Sequence, residues 1–171
     1  MKLFIIMISL MVSLLSMRVA TSEILITGNV QQVVSGDQLV IYHPEMGQQP
    51  IKLAQIDAPE MALAACKSQP WADVAVKALS QKVLGEVVQA NCEPRLDGDG
   101  FALCQVSAHG ENINQWMLSQ GHAWFDKLLG NNIWLQQLEQ EAKRKRQGLW
   151  GNAAMVIPPW IYKAQCLGKI R

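Results

Sequence analysis

The stretch IKLAQIDAPE, residues 51–60, governs the interpretation of this chain, because an apolar run ends there in acidic residues. Asp57 closes the run, Pro59 takes the backbone out of regular structure, and Glu60 follows directly. Upstream, the turn signal SGD at 35–37 places a third acid, Asp37, beside apolar residues. Three acids at strand ends can hold a hard cation and activate water. Each acid taken alone is equally well explained as an ordinary turn residue.

The first 22 residues have the pattern of a secretory signal peptide. Lys2 precedes a nearly uninterrupted apolar run over residues 3–17, and ATS at 20–22 offers small residues for cleavage before Glu23. The run is shorter than the roughly 20 residues of a spanning helix, although an uncleaved anchor stays open as the alternative. We expect residues 1–22 to be removed, residues 23–152 to form one domain, and residues 153–171 to form a tail that a disulfide could tether. The protein is then exported, periplasmic or secreted, with no stable membrane association after signal removal.

Charge argues against a protein that attracts polyanions through its overall field. The whole chain has 15 Lys and Arg against 14 Asp and Glu. Lys2 and Arg18 fall within the first 22 residues, which contain no acid, so residues 23–171 have 13 basic and 14 acidic residues, a net charge of −1. A surface that binds nucleic acid must therefore be a local one. The KRKR run at 143–146 suits the C-terminal pole of a helix better than such a surface.

Residues 23–152 alternate short strand patterns with turns that contain Gly. Residues 24–42 predict two or three strands broken at 28–29 and at 35–37, and residues 43–50 predict a loop. Further strands are predicted over 51–56, 87–92 and 101–106, with DGDG at 97–100 as the turn of a hairpin. Three helices are predicted over 71–84, 112–120 and 131–147. About five short strands favour a small closed barrel, because closure removes exposed sheet edges.

Four cysteines in an exported chain suggest disulfides, and no Cys/His spacing typical of a zinc site occurs. Cys92 and Cys104 are equidistant from Gly98, so a hairpin centred there places them opposite each other, within disulfide reach. Cys66 and Cys166 pair by elimination, which would tie the tail to the loop beside the acids. Four buried thiols remain the alternative.

Several motifs occur in the order found in the thermonuclease, or staphylococcal nuclease-like, domain family, which the chain resembles over roughly residues 28–150. The resemblance implies an α+β fold, a five-stranded OB-fold β-barrel with three α-helices. The motifs are VVSGD at 33–37, KLAQIDAPE at 52–60, QPWA at 69–72, VLG at 83–85, NQWMLSQGHA at 114–123, EAK at 141–143 and GLW at 148–150.

The resemblance further implies a calcium-dependent nuclease. In this family two Asp side chains and a backbone carbonyl help to hold the ion, a Glu activates or orients water, and two Arg bind the phosphate. By position, Asp37 and Asp57 match the metal ligands, the backbone carbonyl of Ala58 matches the third ligand, and Glu60 matches the base. These implied roles agree with general chemistry, because calcium prefers oxygen ligands and polarises phosphoryl groups, and a carboxylate can take a proton from water.

The chain departs from the family pattern at both arginine positions. Lys52 stands at the first, where it keeps the charge and is expected to contact phosphate, but lacks the planar fork of Arg. Phe101 occupies the second and cannot stabilise an oxyanion, a loss that commonly costs roughly 100- to 1000-fold in rate. Arg95, across the same turn, is a candidate phosphate contact unless it is simply a solvated loop residue. Ser35 replaces the outer Asp of the family's first turn.

The leading hypothesis is an exported phosphodiesterase that hydrolyses DNA or RNA with calcium, acting on single-stranded or locally melted nucleic acid in the groove of the OB-fold. The alternative is an OB-fold module, impaired in catalysis, that binds a protein partner or nucleic acid. Retention of three acids favours the enzyme, whereas Lys52 and Phe101 favour the module. If the chain is the enzyme, Asp37, Asp57 and Glu60 should converge within metal-site distance, with Lys52 aimed at the same pocket. A structure in which Phe101 fills that pocket would weigh against the enzyme.

Overall fold

A computed structural model of the protein describes residues 23–63, 66–128 and 130–168. The expected signal peptide at 1–22 lies outside these residues. The strands are β1 Ile24–Val33, β2 Gln38–His43, β3 Gly47–Leu53, β4 Ile56–Asp57, β5 Val87–Leu96, β6 Ala102–Ala108, β7 Glu111–Asn112 and β8 Trp124–Phe125. The helices are α1 Ala72–Val83, α2 Ile113–Ser119, α3 Ile133–Arg144 and α4 Pro159–Cys166, with a 3-10 helix over Gly148–Met155. None of the helices in the described ranges is long and apolar enough to cross a membrane.

Five strands close into a barrel, as the sequence predicts for an OB-fold. The hydrogen-bonded order is β3-β2-β1-β5-β6, and β3 pairs in parallel with β6 to complete the ring. The closing register joins Ile51 to Ala102 and Leu53 to Cys104. Closure leaves the C-terminal end of β3 paired on both sides, and the acidic stretch that follows β3 begins at this fixed point.

The core follows the alternation of apolar residues along the barrel strands. Leu39 and Ile41 of β2 and Ile51 and Leu53 of β3 are completely buried. Helices α1, α2 and α3 cover the barrel with buried apolar side chains at helical spacing. These side chains are Ala75, Leu79, Val83, Ile113, Met117, Leu118 and Leu135.

The strands differ from the predicted ones at several places: β5 extends to Leu96 instead of ending at residue 92, and β7 and β8 were not predicted. Strand β1 runs unbroken through residues 28–29, because Gly28 lies against β2, where a Cβ atom would stand 2.2 Å from the carbonyl oxygen of Tyr42. Strand β3 begins at Gly47, so part of the predicted loop 43–50 is a strand. The predicted strand 51–56 is interrupted after Leu53, and Gln55 adopts a left-handed φ of 62° before β4. Residues 51–56 contain no Gly, Pro, Asn or Asp that would have signalled this kink.

The three predicted helices are present, and a fourth was not predicted. Asn112 caps α2 through the backbone amide of Gln115, and Asn132 caps α3 through the amides of Trp134 and Leu135. Helix α4 lies in the segment that the sequence presents as a tail. Its first residue is Pro159, and proline is a favourable residue at the first position of a helix.

Two disulfides are present, and no free cysteine occurs in the described part of the chain. Cys92–Cys104 joins β5 to β6 across the hairpin, at directly opposed positions. Cys66–Cys166 joins the loop after β4 to the last residue of α4, across a sequence separation of 100 residues. The second bond fixes the C-terminal segment to the acid-bearing loop.

Candidate active site

The turn between β1 and β2 holds Asp37 in a defined orientation. The Ser35 hydroxyl donates to Asp37 Oδ1 at 2.6 Å, and the backbone amide of Ala58 donates to Asp37 Oδ2 at 3.3 Å. Gly36 allows this turn to sit against the neighbouring elements, since a Cβ atom there would lie 2.7 Å from the side chains of both Ala58 and Ala75. The sequence SGD therefore supplies a carboxylate that is buried and oriented by donors on two segments.

The kink after β3 brings Asp57 next to Lys52. Strand β4 pairs with β8, where Asp57 faces Trp124, and the backbone amide of Asp126 donates to the carbonyl oxygen of Gln55 at the kink. This pairing turns the chain so that Asp57, five residues after Lys52, returns to the same side of the barrel. Both side chains are buried.

Lys52 is shared by two carboxylates. Its Nζ lies 3.2 Å from Asp57 Oδ1 and 3.4 Å from Asp37 Oδ2. Burial alone would lower the pKa of Lys52, but the charges and hydrogen bonds of the two acids outweigh burial and raise it. For Asp57, burial and repulsion from Asp37 outweigh the attraction of the shared ammonium and raise the pKa to about 7. One ammonium therefore does not compensate two buried carboxylates.

Glu60 lines a small cavity together with Asp37 and Lys52. The cavity has a volume of about 120 Å³ and is formed by the β1–β2 turn, the end of β3 and the loop after β4. The Glu60 carboxylate does not join Asp37 and Asp57 in a three-acid cluster, and no group of three or more His, Cys, Asp or Glu side chains with metal-binding geometry occurs in the described ranges. Glu60 Oε1 instead lies 2.8 Å from Lys163 Nζ of α4.

The structure also shows which predicted residues stay apart from the cavity. Arg95 pairs with Glu93 of its own strand, Nε to Oε2 at 2.7 Å, and does not line the cavity. Phe101 does not line it either, and the Phe101 backbone amide donates to Asp97 Oδ1 at 2.8 Å within the hairpin turn. Phe101 therefore does not fill the pocket, and the hairpin brings no cation to it.

Two residues of the site were missed by sequence reasoning. Gln69 is buried, accepts the backbone amide of Glu60 on Oε1 at 3.0 Å, and donates from Nε2 to the carbonyl oxygen of Ile157. Lys163 reaches Glu60 from α4. One signal was available, because the predicted pairing of Cys66 with Cys166 already placed the tail beside the acids.

The donor set fits calcium, the cation that the thermonuclease resemblance implies. Asp37 Oδ2 and Asp57 Oδ1 come from different segments and face the same cation, the ammonium of Lys52. Both are hard oxygen ligands of the kind that calcium takes at 2.3–2.6 Å. The pair also retains negative charge that one ammonium does not neutralise. A divalent ion shared by these oxygens requires Lys52 to move away from between them.

A larger cleft lies away from this chemistry. It has a volume of about 700 Å³ and runs between the ends of α2 and α3, among Trp134, several Gln side chains and the exposed pairs of Glu141. It contains none of Asp37, Lys52, Asp57 and Glu60. The charged groups of this larger cleft are paired with each other at the surface. The smaller cavity, which holds the acids and Lys52, therefore remains the candidate site.

Comparison with known proteins gives one family match and several similar proteins. A family model described as staphylococcal nuclease homologue matches residues 50–152. The chain is 33% identical over 139 residues to a protein of Escherichia coli O157:H7 named uncharacterized endonuclease. The aligned residues cover 81% of this chain and 85% of that protein. A protein of Haemophilus influenzae with the same name is 30% identical over 132 residues, covering 77% of this chain and 70% of that protein. Protein ParB of Escherichia coli is 30% identical over 151 residues, covering 81% of this chain and 79% of that protein.

Proposed function

The chain belongs to the staphylococcal nuclease homologue family, and on this premise we propose that it is an exported phosphodiesterase that hydrolyses DNA or RNA with calcium. One observation carries the proposal: Asp37, Lys52 and Glu60 line a single cavity, and Asp57 shares the ammonium of Lys52 with Asp37. These are the residue types that hydrolysis of a phosphodiester by a metal-assisted route requires.

Each residue has a role that its position supports. Calcium held by Asp37, Asp57 and the carbonyl of Ala58 would polarise a phosphoryl oxygen and offset its charge. Lys52 binds a phosphate oxygen through a charge-assisted hydrogen bond. Glu60 accepts a proton from the attacking water, whose oxygen forms a bond to phosphorus while the bond from phosphorus to the leaving sugar oxygen breaks. The roles of the acids match those that the family resemblance implies.

The substrate class follows from the shape of the domain and from its charge. OB-fold barrels bind single strands in a groove across the sheet, where stacking tolerates different bases. Residues 23–171 have a net charge of −1, so binding depends on local cations such as Lys52 rather than on an overall positive field. We infer a preference for single-stranded or locally melted nucleic acid.

Export is supported by the cysteines and by the start of the chain. Both disulfides are of the kind that persists in oxidising compartments. Residues 1–22 combine Lys2, an apolar run and a small-residue cleavage site. We infer a periplasmic or secreted protein.

The test compares the protein, produced in an oxidising compartment, with its Glu60→Gln variant on single-stranded DNA and RNA. Cleavage is measured in calcium, in magnesium and with a chelator, beside Glu45→Gln as a matched control, because Glu45 is exposed in the β2–β3 turn. Loss of the base should cost about 100- to 10,000-fold in calcium and leave the control unchanged. Cleavage by Glu60→Gln equal to that of the unaltered protein, or none in any condition, would refute the proposal. In the second case the OB-fold binding module, favoured by the ion pairs that Lys52 and Lys163 make with the acids, becomes the better explanation.

A further inference from the structure

The segment after residue 152 lies outside the family match, yet it is built into the site. Helix α4 is held to the loop after β4 by the Cys66–Cys166 disulfide and by the hydroxyl of Tyr162, which donates to the carbonyl oxygen of Lys67. Trp160 packs on a second cluster of buried side chains, formed by Trp124, Ala142, Leu149 and Trp150. The position of α4 is therefore fixed both covalently and by packing.

Within this segment, Lys163 is aimed at the cavity. Its ammonium lies 2.8 Å from Glu60 Oε1, and its side chain is half-buried, with 35% exposure. Burial lowers the pKa of Lys163, but the hydrogen bond to Glu60 and its charge outweigh burial, so the group stays protonated. Among the described residues that line the cavity, Lys163 and Lys52 are the basic ones.

A second cation in the cavity would offset the negative charge of a bound phosphodiester. A phosphodiester brings a negative charge into a site that already holds the carboxylates of Asp37 and Glu60. The hairpin position that carries Arg in the family has Phe101 here, and Arg95 pairs with Glu93 instead. The cation that the hairpin lacks is present on α4.

We propose that Lys163 is a phosphate-binding residue of this site, supplied by α4 and held in place by the Cys66–Cys166 disulfide. The proposal rests on the proposed nuclease function. Before substrate binds, the ammonium pairs with Glu60. When a phosphate oxygen takes the place of the carboxylate, Lys163 binds the substrate and Glu60 is released to accept a proton from water. Replacement of the carboxylate by the phosphate oxygen thus makes Lys163 available to bind substrate and Glu60 available to act as a base.

Binding of a short fluorescein-labelled oligothymidylate, followed by fluorescence anisotropy in calcium, tests this role without cleavage in the Glu60→Gln background. Adding Lys163→Met should weaken binding about tenfold or more, because a charge-assisted hydrogen bond to phosphate is lost. The slope of log affinity against log salt should fall by about 0.7, the value for one phosphate contact on a single strand. Lys163→Arg should restore most of the affinity, and Lys77→Met, at an exposed position of α1, should leave affinity and slope unchanged.

The outcomes separate this role from a merely structural one. If Lys163→Met lowers cleavage in the otherwise unaltered protein but leaves oligothymidylate affinity and salt slope unchanged, Lys163 only neutralises Glu60 and the proposal is overturned. If the unaltered protein does not cleave but Lys163→Met still weakens binding with the expected slope, the nuclease function fails while the phosphate contact stands. Circular dichroism of each variant confirms that the barrel is folded.

The disulfide is tested by a double-mutant cycle in the same background. Replacing Cys66 and Cys166 together by Ala should weaken binding, but by no more than Lys163→Met, because the packing of Trp160 still holds part of α4 in place. Combining the two changes should then cost no more than Lys163→Met alone. Additive losses, or full affinity without the disulfide, would overturn the role of the disulfide in placing Lys163.

Discussion

Replacing Lys52 by Met removes the ammonium shared by Asp37 and Asp57 while keeping the length of the side chain. The change removes two ion pairs, in which Nζ of Lys52 lies 3.4 Å from Asp37 Oδ2 and 3.2 Å from Asp57 Oδ1. At an effective dielectric constant of 20, each attraction is worth about 5 kcal/mol before the cost of burying the ammonium is counted. Since removing one partner of a buried ion pair typically costs about 3–5 kcal/mol, we expect a loss of that size in the unfolding free energy when no calcium is present.

Calcium should reverse much of this loss. In the variant the two carboxylates have no ammonium between them, so a divalent ion no longer competes with Lys52. At a calcium concentration 100 times the dissociation constant, binding to the folded state alone adds about 2.7 kcal/mol. The unaltered protein should gain less at the same concentration, because Lys52 must first leave its two partners. The calcium response of Lys52→Met should therefore exceed that of the unaltered protein.

The assay is urea unfolding followed by tryptophan fluorescence, in chelator and in calcium. It is run near pH 8.5, above the pKa of about 7 for Asp57, so that this acid is ionised in the unaltered protein. Lys77→Met serves as the control, because an exposed position should change stability by no more than about 0.5 kcal/mol. Equal calcium responses in Lys52→Met and the unaltered protein would refute the shared site. A loss below about 1 kcal/mol in chelator would refute the account of the ion pair.

Three further predictions concern the frame around the site. Asn114→Ala should cost about 3–5 kcal/mol in urea unfolding, because the buried amide accepts from the backbone of Val106 and donates to two carbonyl oxygens; a loss below about 1 kcal/mol would contradict this. Burial lowers the pKa of His122, whose Nδ1 accepts from Trp71 Nε1, so the unfolded state binds more protons and stability should fall as pH drops below 6.5. His122→Gln should remove that part of the pH dependence, and parallel stability curves for the two proteins would argue against it. Asn132→Ala should cost about 1 kcal/mol through loss of the α3 cap, and an unchanged urea midpoint would show that the cap is dispensable.

The fold was readable from the sequence wherever one physical signal dominated. Short strand patterns, Gly-containing turns and helical spacing predicted the barrel and its three helices, because each signal acts over a few neighbouring residues. The kink at Gln55 was not predicted, since residues 51–56 contain no Gly, Pro, Asn or Asp. It depends on the pairing of β4 with β8, between segments far apart in the chain. Helix α4 was missed for a similar reason, because its position depends on packing and a disulfide.

Some residues of the site were likewise predicted from the sequence, and others were not. Asp37, Asp57 and Glu60 lie in short motifs that the sequence identifies, but the kink at Gln55 that brings Asp57 to Lys52 was not predicted, and Glu60 does not join the other two acids in one cluster. The sharing of Lys52 by two carboxylates could not be predicted, because β-strand alternation does not say whether a lysine faces substrate or neighbouring acids. Lys163 lies far from any site motif in the sequence; the predicted Cys66–Cys166 pairing placed its segment near the acids, but its contact with Glu60 was not predicted.

Counting charges around the cavity gives Lys163 a reason to be there. With every group ionised, Asp37, Asp57 and Glu60 outweigh Lys52 and Lys163 by one negative charge. A calcium ion and one phosphodiester together add one positive charge, so the complete complex is neutral. Without Lys163 the same complex is left with a net negative charge in a poorly solvated cavity, where uncompensated charge is costly. On the proposed function, helix α4 supplies a positive charge that Phe101 does not, and the Cys66–Cys166 disulfide ties this helix to the loop beside Glu60.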